Sequence, residues 1–265
     1  MLQSLKNLAG VAVEGSDGAI GRIVDLYFDD QAWTIRFLLV ETGDWLKGRK
    51  VLISPMATGE PDRGRGLLPV SVTREQVSKS PDIDIHKPVS RQHETENYAY
   101  YGYPGHWGGT GIWGKGLAPR MTVAGGTLVP EAAPQEDEVA QAQADALRQR
   151  GDDPHLRSAR AMIRYHLRAN DGEIGHVDGM IIDDETWALR YFIVNTSDWW
   201  IGHQVLVAPS WIDDISWLDA AVSVDLSREA IKRAPPYDAD APPDREQERR
   251  IHEHYARPGY WSERA

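Results

Sequence analysis

The chain repeats itself at one fixed offset of 154 residues, without a gap. The offset carries Asp17-Gly18-Ala19-Ile20-Gly21 onto Asp171-Gly172-Glu173-Ile174-Gly175, and Asp29-Asp30-Gln31-Ala32-Trp33 onto Asp183-Asp184-Glu185-Thr186-Trp187. Val40, Thr42, Asp44, Trp45, Gly48, Val51, Leu52 and Pro55 meet Val194, Thr196, Asp198, Trp199, Gly202, Val205, Leu206 and Pro209. The register still holds at Arg74-Glu75, Pro81 and Pro104-Gly105-x-Trp107, which recur as Arg228-Glu229, Pro235 and Pro258-Gly259-x-Trp261. Solenoid repeats have periods of about 20–50 residues, so a period this long marks two copies of one domain. Positions identical in both copies show what the fold requires of each.

Each copy reads as a series of short strands. An apolar segment, Val11 to Glu14, ends at the turn signal Gly15-Ser16-Asp17-Gly18. Ile20 to Phe28 alternates and predicts a strand, bulged at Gly21. Asp29 to Ala32 reads as a hairpin loop, and Trp33 to Glu41 is dense in β-branched and aromatic residues. Val51 to Ile53 and Leu67 to Val72 supply shorter strands, and Thr73 is placed to cap one or two helical turns. The second copy offers the same series: Ala161 to Ala169, Glu173 to Ile182, Trp187 to Asn195, Gln204 to Val207 and Ala220 to Val224, then a helical turn after Ser227. This pattern predicts a mainly β chain with two tandem small β-barrels, closed or nearly closed.

A barrel of roughly 80 residues buries only a modest share of its surface and needs cover. The other copy, related by a pseudo-two-fold axis, is one source. The aromatic tail that ends each copy, Tyr98 to Trp107 and His254 to Trp261, is the other. Each tail is expected to lie back on barrel surface, its own or that of the other copy. The domains are therefore read as 1–107 and 156–265, each a barrel with its tail. Residues 108–155 have no counterpart; they are Gly-rich, then Pro/Ala-rich, and read as a flexible linker.

With these elements in order, the chain resembles the PRC-barrel family. That family is named from the cytoplasmic barrel of the photosynthetic reaction-centre H subunit and includes the C-terminal barrel of the ribosome-maturation factor RimM. The resemblance rests on Asp17-Gly18-x-Ile20-Gly21, the Asp-Asp-x-x-Trp hairpin, Val40-x-Thr42 and Trp45-x-x-Gly48-x-x-Val51-Leu52-x-x-Pro55, each present twice. It covers about 160 residues, and the full layout looks like bacterial proteins with two PRC-barrel copies. The reaction-centre subunit has a membrane helix and RimM a different N-terminal barrel, so the resemblance implies a fold and a habit of docking onto larger assemblies.

Composition narrows the function. The net charge is -11 and the sequence pI is near 5.3. An acidic chain without a basic run is not expected to bind nucleic acid. The absence of Cys excludes disulfides, thiol catalysis and thiolate metal sites. No apolar run reaches the ~18 residues of a membrane helix, and no signal-peptide core is visible, so a cytoplasmic protein without an integral membrane segment is expected.

The chemistry-bearing residues have plain structural readings. Asp29-Asp30 and Asp183-Asp184 are paired carboxylates of the kind that bind a hard cation, but they sit where Asp begins a hairpin turn. Gly18-x-x-Gly21 lacks the third Gly and the helix of a dinucleotide site. His252-x-His254 needs a third metal ligand, with His86 or His93 the candidates. His166 and His176 belong to one copy only and are the best start for an enzyme site. The reading that remains is a non-catalytic interaction or scaffold protein with no cofactor, docking onto a protein partner and leaving a homodimer open. Its candidate contacts are Trp45, Tyr101, Trp107, Trp199, Trp200, Tyr255 and Trp261. A small-ligand or metal binder with a site between the barrels is the alternative, and an enzyme the second.

Overall fold

A computed structural model describes residues 1–81, 83, 91–106, 113, 118–119, 122–124, 127–129, 156–196, 203–239 and 241–262. The chain is mainly β. Its first copy contributes β1 (Leu2–Ser4), β2 (Ala12–Gly15), β3 (Gly18–Asp29), β4 (Thr34–Thr42), β5 (Lys50–Ile53) and β6 (Leu67–Pro69). Two helices follow, α1 (Arg74–Lys79) and α2 (Arg91–Tyr101). A two-stranded pair, β7 (Thr122–Ala124) and β8 (Thr127–Val129), comes next. The second copy supplies β9 (Leu156–Ser158), α3 (Ala159–Met162), β10 (His166–Ala169), β11 (Gly172–Asp183) and β12 (Leu189–Asn195). It continues with β13 (Gln204–Val207), β14 (Ile212–Ser216), β15 (Ala221–Val224), α4 (Arg228–Lys232) and α5 (Arg245–His254).

Two mixed sheets result. One has the order β5-β4-β3-β2-β6, the other β13-β12-β11-β10-β15-β14. In both the parallel pair is the equivalent one, β2 with β6 and β10 with β15. Among the described residues each sheet runs as an open path.

The chain also changes places. Each long central strand pairs with the preceding strand of its own copy only over its first residues, β3 with β2 over Gly18–Arg22 and β11 with β10 over Gly172–His176, which leaves that edge of its last residues open to another strand. That edge is filled by the first strand of the other copy. Leu2, Gln3 and Ser4 pair with Asp183, Ile182 and Ile181, and Leu156, Arg157 and Ser158 pair with Asp29, Phe28 and Tyr27. Accordingly, one compact unit comprises Met1–Lys6, Ala161–Asp184 and Leu189–Ala265, and the other Asn7–Arg160 and Glu185–Ala188. Leu156 is fully buried in the sheet it joins. Asp25 anchors the same strand: its carboxylate accepts the Ser158 hydroxyl at 2.5 Å and the Arg160 amide at 3.0 Å.

Local chemistry explains the repeated residues. The Asp29 carboxylate accepts the backbone N–H groups of Gln31 and Ala32, so Asp29 begins a turn, as the sequence predicts, while Asp30 accepts from the Arg157 guanidinium at 2.9 Å. Asp17 caps α1 by accepting the Arg74 amide at 2.8 Å, and Asp171 does the same for Arg228 at 2.7 Å. Thr73 and Gln76 complete a capping box on α1. Between β2 and β3, Val13 faces Gly21 while Glu14 faces Ala19, so the bulge residue is Ile20, beside the expected Gly21. A side chain on Gly21 would collide with the Glu41 backbone carbonyl, and one on Gly175 with that of Asn195.

A second bulge re-aims a charge. Tyr27 faces Phe37 but Phe28 faces Ile35, so the register skips Arg36, which is the bulge residue; Arg190 occupies the same place in the second copy. The bulged guanidinium turns inward toward the hairpin carboxylate, Arg36 to Asp29 at 3.4 Å and Arg190 to Asp183 at 3.2 Å.

Candidate functional site: a buried carboxylate beneath each tail helix

The tails begin as helices that the sequence reading treats only as aromatic extensions. In α5, Asp244 accepts the Gln247 amide and Gln247 returns the bond, a capping box that starts the helix after Pro242-Pro243. Its inward residues are Glu248, Ile251, His252 and Tyr255, at helical spacing along one face. The equivalent positions of α2 are Glu94, Asn97, Tyr98 and Tyr101. Both helices end at a left-handed residue, Gly102 at φ 70° and Ala256 at φ 51°.

Each helix packs on its own copy. Tyr98 tilts against Phe37 of β4 at 5.6 Å between ring centres. In the other unit, Tyr191 of β12 and Trp211 meet the His252 ring at 5.9 and 5.1 Å. The consequence is a carboxylate in the core of each unit, Glu94 at 0% exposure and Glu248 at 2%. A buried carboxylate is costly without partners, and both have them.

The Glu248 site is fully laid out. Its Oε1 lies 3.0 Å from the Tyr191 hydroxyl and 2.8 Å from the Tyr260 hydroxyl, and its Oε2 lies 3.1 Å from the Arg245 guanidinium. The Tyr191 hydroxyl also lies 3.0 Å from His252 Nε2, and His252 Nδ1 lies 2.9 Å from the Pro258 carbonyl. Trp261 covers the imidazole at 4.9 Å, and Arg190 stacks over the Tyr260 ring at 3.9 Å. Burial raises the Glu248 carboxyl above its ordinary pKa, against hydrogen bonds and cations that lower it. Burial likewise lowers the His252 imidazole.

In the first copy the same carboxylate is met by different rings. Glu94 Oε1 lies 2.6 Å from His106 Nε2, and both side chains are buried. Tyr98 stands edge-on to His106 at 5.7 Å. Under the offset, Glu94, Phe37, Tyr98 and His106 become Glu248, Tyr191, His252 and Tyr260. Glu stays in place while His and Tyr are permuted around it. Trp113, within the segment read as linker, is buried here: its indole donates to the Thr186 carbonyl at 2.7 Å and its ring faces Arg36.

No known family model and no curated protein matches this chain. The site's own geometry gathers proton donors and acceptors around a buried carboxylate.

Of the residues singled out by sequence, His252 and Trp261 belong to the Glu248 site, and the other described ones fall elsewhere. Trp45 is half-buried; its indole donates to the Ile20 carbonyl at 2.8 Å and Arg74 stacks on its ring. Tyr101 stacks on Tyr103, and burial pushes its hydroxyl up to about 12. Tyr255 is buried against Trp211, and Trp261 is half-buried beside Tyr260 with Arg245 over its ring. Trp107, Trp199, Trp200 and His86 lie outside the described residues. His252 is buried in the Glu248 site, whereas His254 is exposed and bonded to the Ala230 carbonyl. His166 and His176 face each other across β10 and β11, and His166 holds Glu173 at 2.6 Å on the surface. Among the described residues no group of three His, Asp or Glu side chains is placed to hold a metal ion. No described helix is long and apolar enough to cross a membrane.

Sequence reasoning passes over Glu94 and Glu248 because each sits in a charged stretch that looks solvated. The offset was the available signal, since both copies keep Glu there.

Proposed function

We propose that this chain is a non-catalytic interaction protein of PRC-barrel type, in which two barrel-like copies present different tips to a protein partner. One observation carries the reading. The hairpin tip before β15 bears Trp217-Leu218, with Leu218 at 95% exposure. The equivalent tip before β6 bears Arg63-Gly64-Arg65, all exposed. Both turns use a left-handed residue at the same place, Gly66 and Ala220, so the frame is shared while its cargo of side chains differs. A lone exposed Leu is ordinary. Here it adjoins a half-buried Trp217 at a turn whose twin is cationic, and this pairing suits an apolar pocket on a partner. The surface-facing parts of Trp45 and Trp261 remain in the proposed contact.

A photo-reactive residue at position 218 of the full chain should yield one discrete protein adduct in cells, and Trp217→Ala should reduce it several-fold. No discrete adduct from position 218, or adducts spread over many proteins, would overturn the reading.

A further inference from the structure

The Glu248 site contains more hydrogen bonds than its groups can make in their ordinary protonation states. His252 Nδ1 faces the Pro258 carbonyl, which only accepts, so Nδ1 carries a proton. In a neutral imidazole Nε2 is then an acceptor, and the Tyr191 hydroxyl must donate to it. A tyrosine hydroxyl has one proton, so the contact between Tyr191 and Glu248 Oε1 lacks a donor unless Glu248 is protonated. In the other arrangement His252 is an imidazolium that donates to Tyr191, and Tyr191 donates to the Glu248 carboxylate. Both arrangements contain one proton more than a carboxylate with a neutral imidazole.

We infer that Glu248, Tyr191 and His252 form a binding site for a single exchangeable proton, and that this proton latches α5 and the Pro258–Trp261 segment onto the sheet. The charged and titratable neighbours come from each element around it. Arg190 on β12 is held by Asp183, Arg245 lies on α5 itself, and Tyr260 arrives from the segment beyond. The arginines stay cationic throughout. Burial raises the carboxyl and lowers the imidazole, which agrees with the proton resting on Glu248.

Loss of the proton leaves Tyr191 able to serve one acceptor only. Either Glu248 or His252 then lacks its bond, and the helix and the Trp261 cover loosen. The unfolded pair binds two protons below the ordinary Glu value, one between the ordinary Glu and His values, and none above. The folded pair binds one across a wider range. Latching is therefore flat between those two values, weakens as pH falls below the Glu value, and weakens about tenfold per pH unit above the His value until the folded site lets its proton go.

The test uses the full chain. Hydrogen exchange of residues 245–262, corrected for intrinsic rates, should follow that profile. In Glu248→Gln the amide donates to Tyr191 without titrating, so the alkaline loss should vanish. His252→Tyr, which installs the residue of the first copy, should also remove it. Nitrogen NMR of the wild-type imidazole should show Nδ1 protonated across the flat range. A His252 that titrates at its ordinary value, or an alkaline loss unchanged in Glu248→Gln, would overturn the inference.

Discussion

The Arg36 guanidinium lies 3.4 Å from the Asp29 carboxylate, and both side chains are nearly fully buried. The equivalent pair, Arg190 and Asp183, is closer at 3.2 Å but more open to solvent. The two pairs share a bulge and a turn but differ in burial and in the ring that each guanidinium faces, Trp113 or Tyr260.

Removing one partner of a buried pair strands the other. Arg36→Ala should cost about 3–5 kcal/mol, because the Asp29 carboxylate then stays buried without its cation. Arg190→Ala should cost about 1 kcal/mol, since water reaches Asp183. Denaturant unfolding of both variants checks this, and equal losses would contradict it.

Asn97 in α2 is buried, and among the described residues neither its amide nitrogen nor its amide oxygen has a hydrogen-bond partner. The same position of α5 is Ile251. Asn97→Leu should stabilise the chain by about 1–2 kcal/mol, because the penalty of an unpaired buried amide disappears. A lower thermal midpoint would show that the amide has a role in the fold.

Asp25 runs against the usual pH trend of carboxylates. Burial raises its pKa above 3.8, opposed by the bonds from Ser158, Arg160 and Leu26. A raised folded value means that its contribution is fully present below 3.8 and is lost as pH rises through the folded value. Asp25→Asn cannot ionise. The stability of wild type relative to this variant should therefore fall with rising pH, at a slope no steeper than about 1.4 kcal/mol per unit. A relative stability that rises instead would refute the assignment.

The offset made much of the fold legible. Asp29 acts on the amides two and three residues on, so its chemistry is local and a pattern reveals it, whereas Asp17 caps a helix 57 residues away and is marked only by its recurrence as Asp171. The series of strands along the chain, a bulge within one residue of the expected Gly21 and the Thr73 cap follow from local signals. The tail helices were harder to see, because Tyr and charged residues mask the spacing that buries Glu94 and Glu248.

What the sequence determined alone is the duplicated unit: two copies of one strand series, their turns and their aromatic tails. Only the tertiary structure decided that Leu2–Ser4 and Leu156–Ser158 trade sheets, because backbone pairing carries no side-chain signature. It also decided that two glutamates in charged helices become core residues. Burial depends on which sheet a helix face meets, and that meeting is set by contacts far apart in the chain.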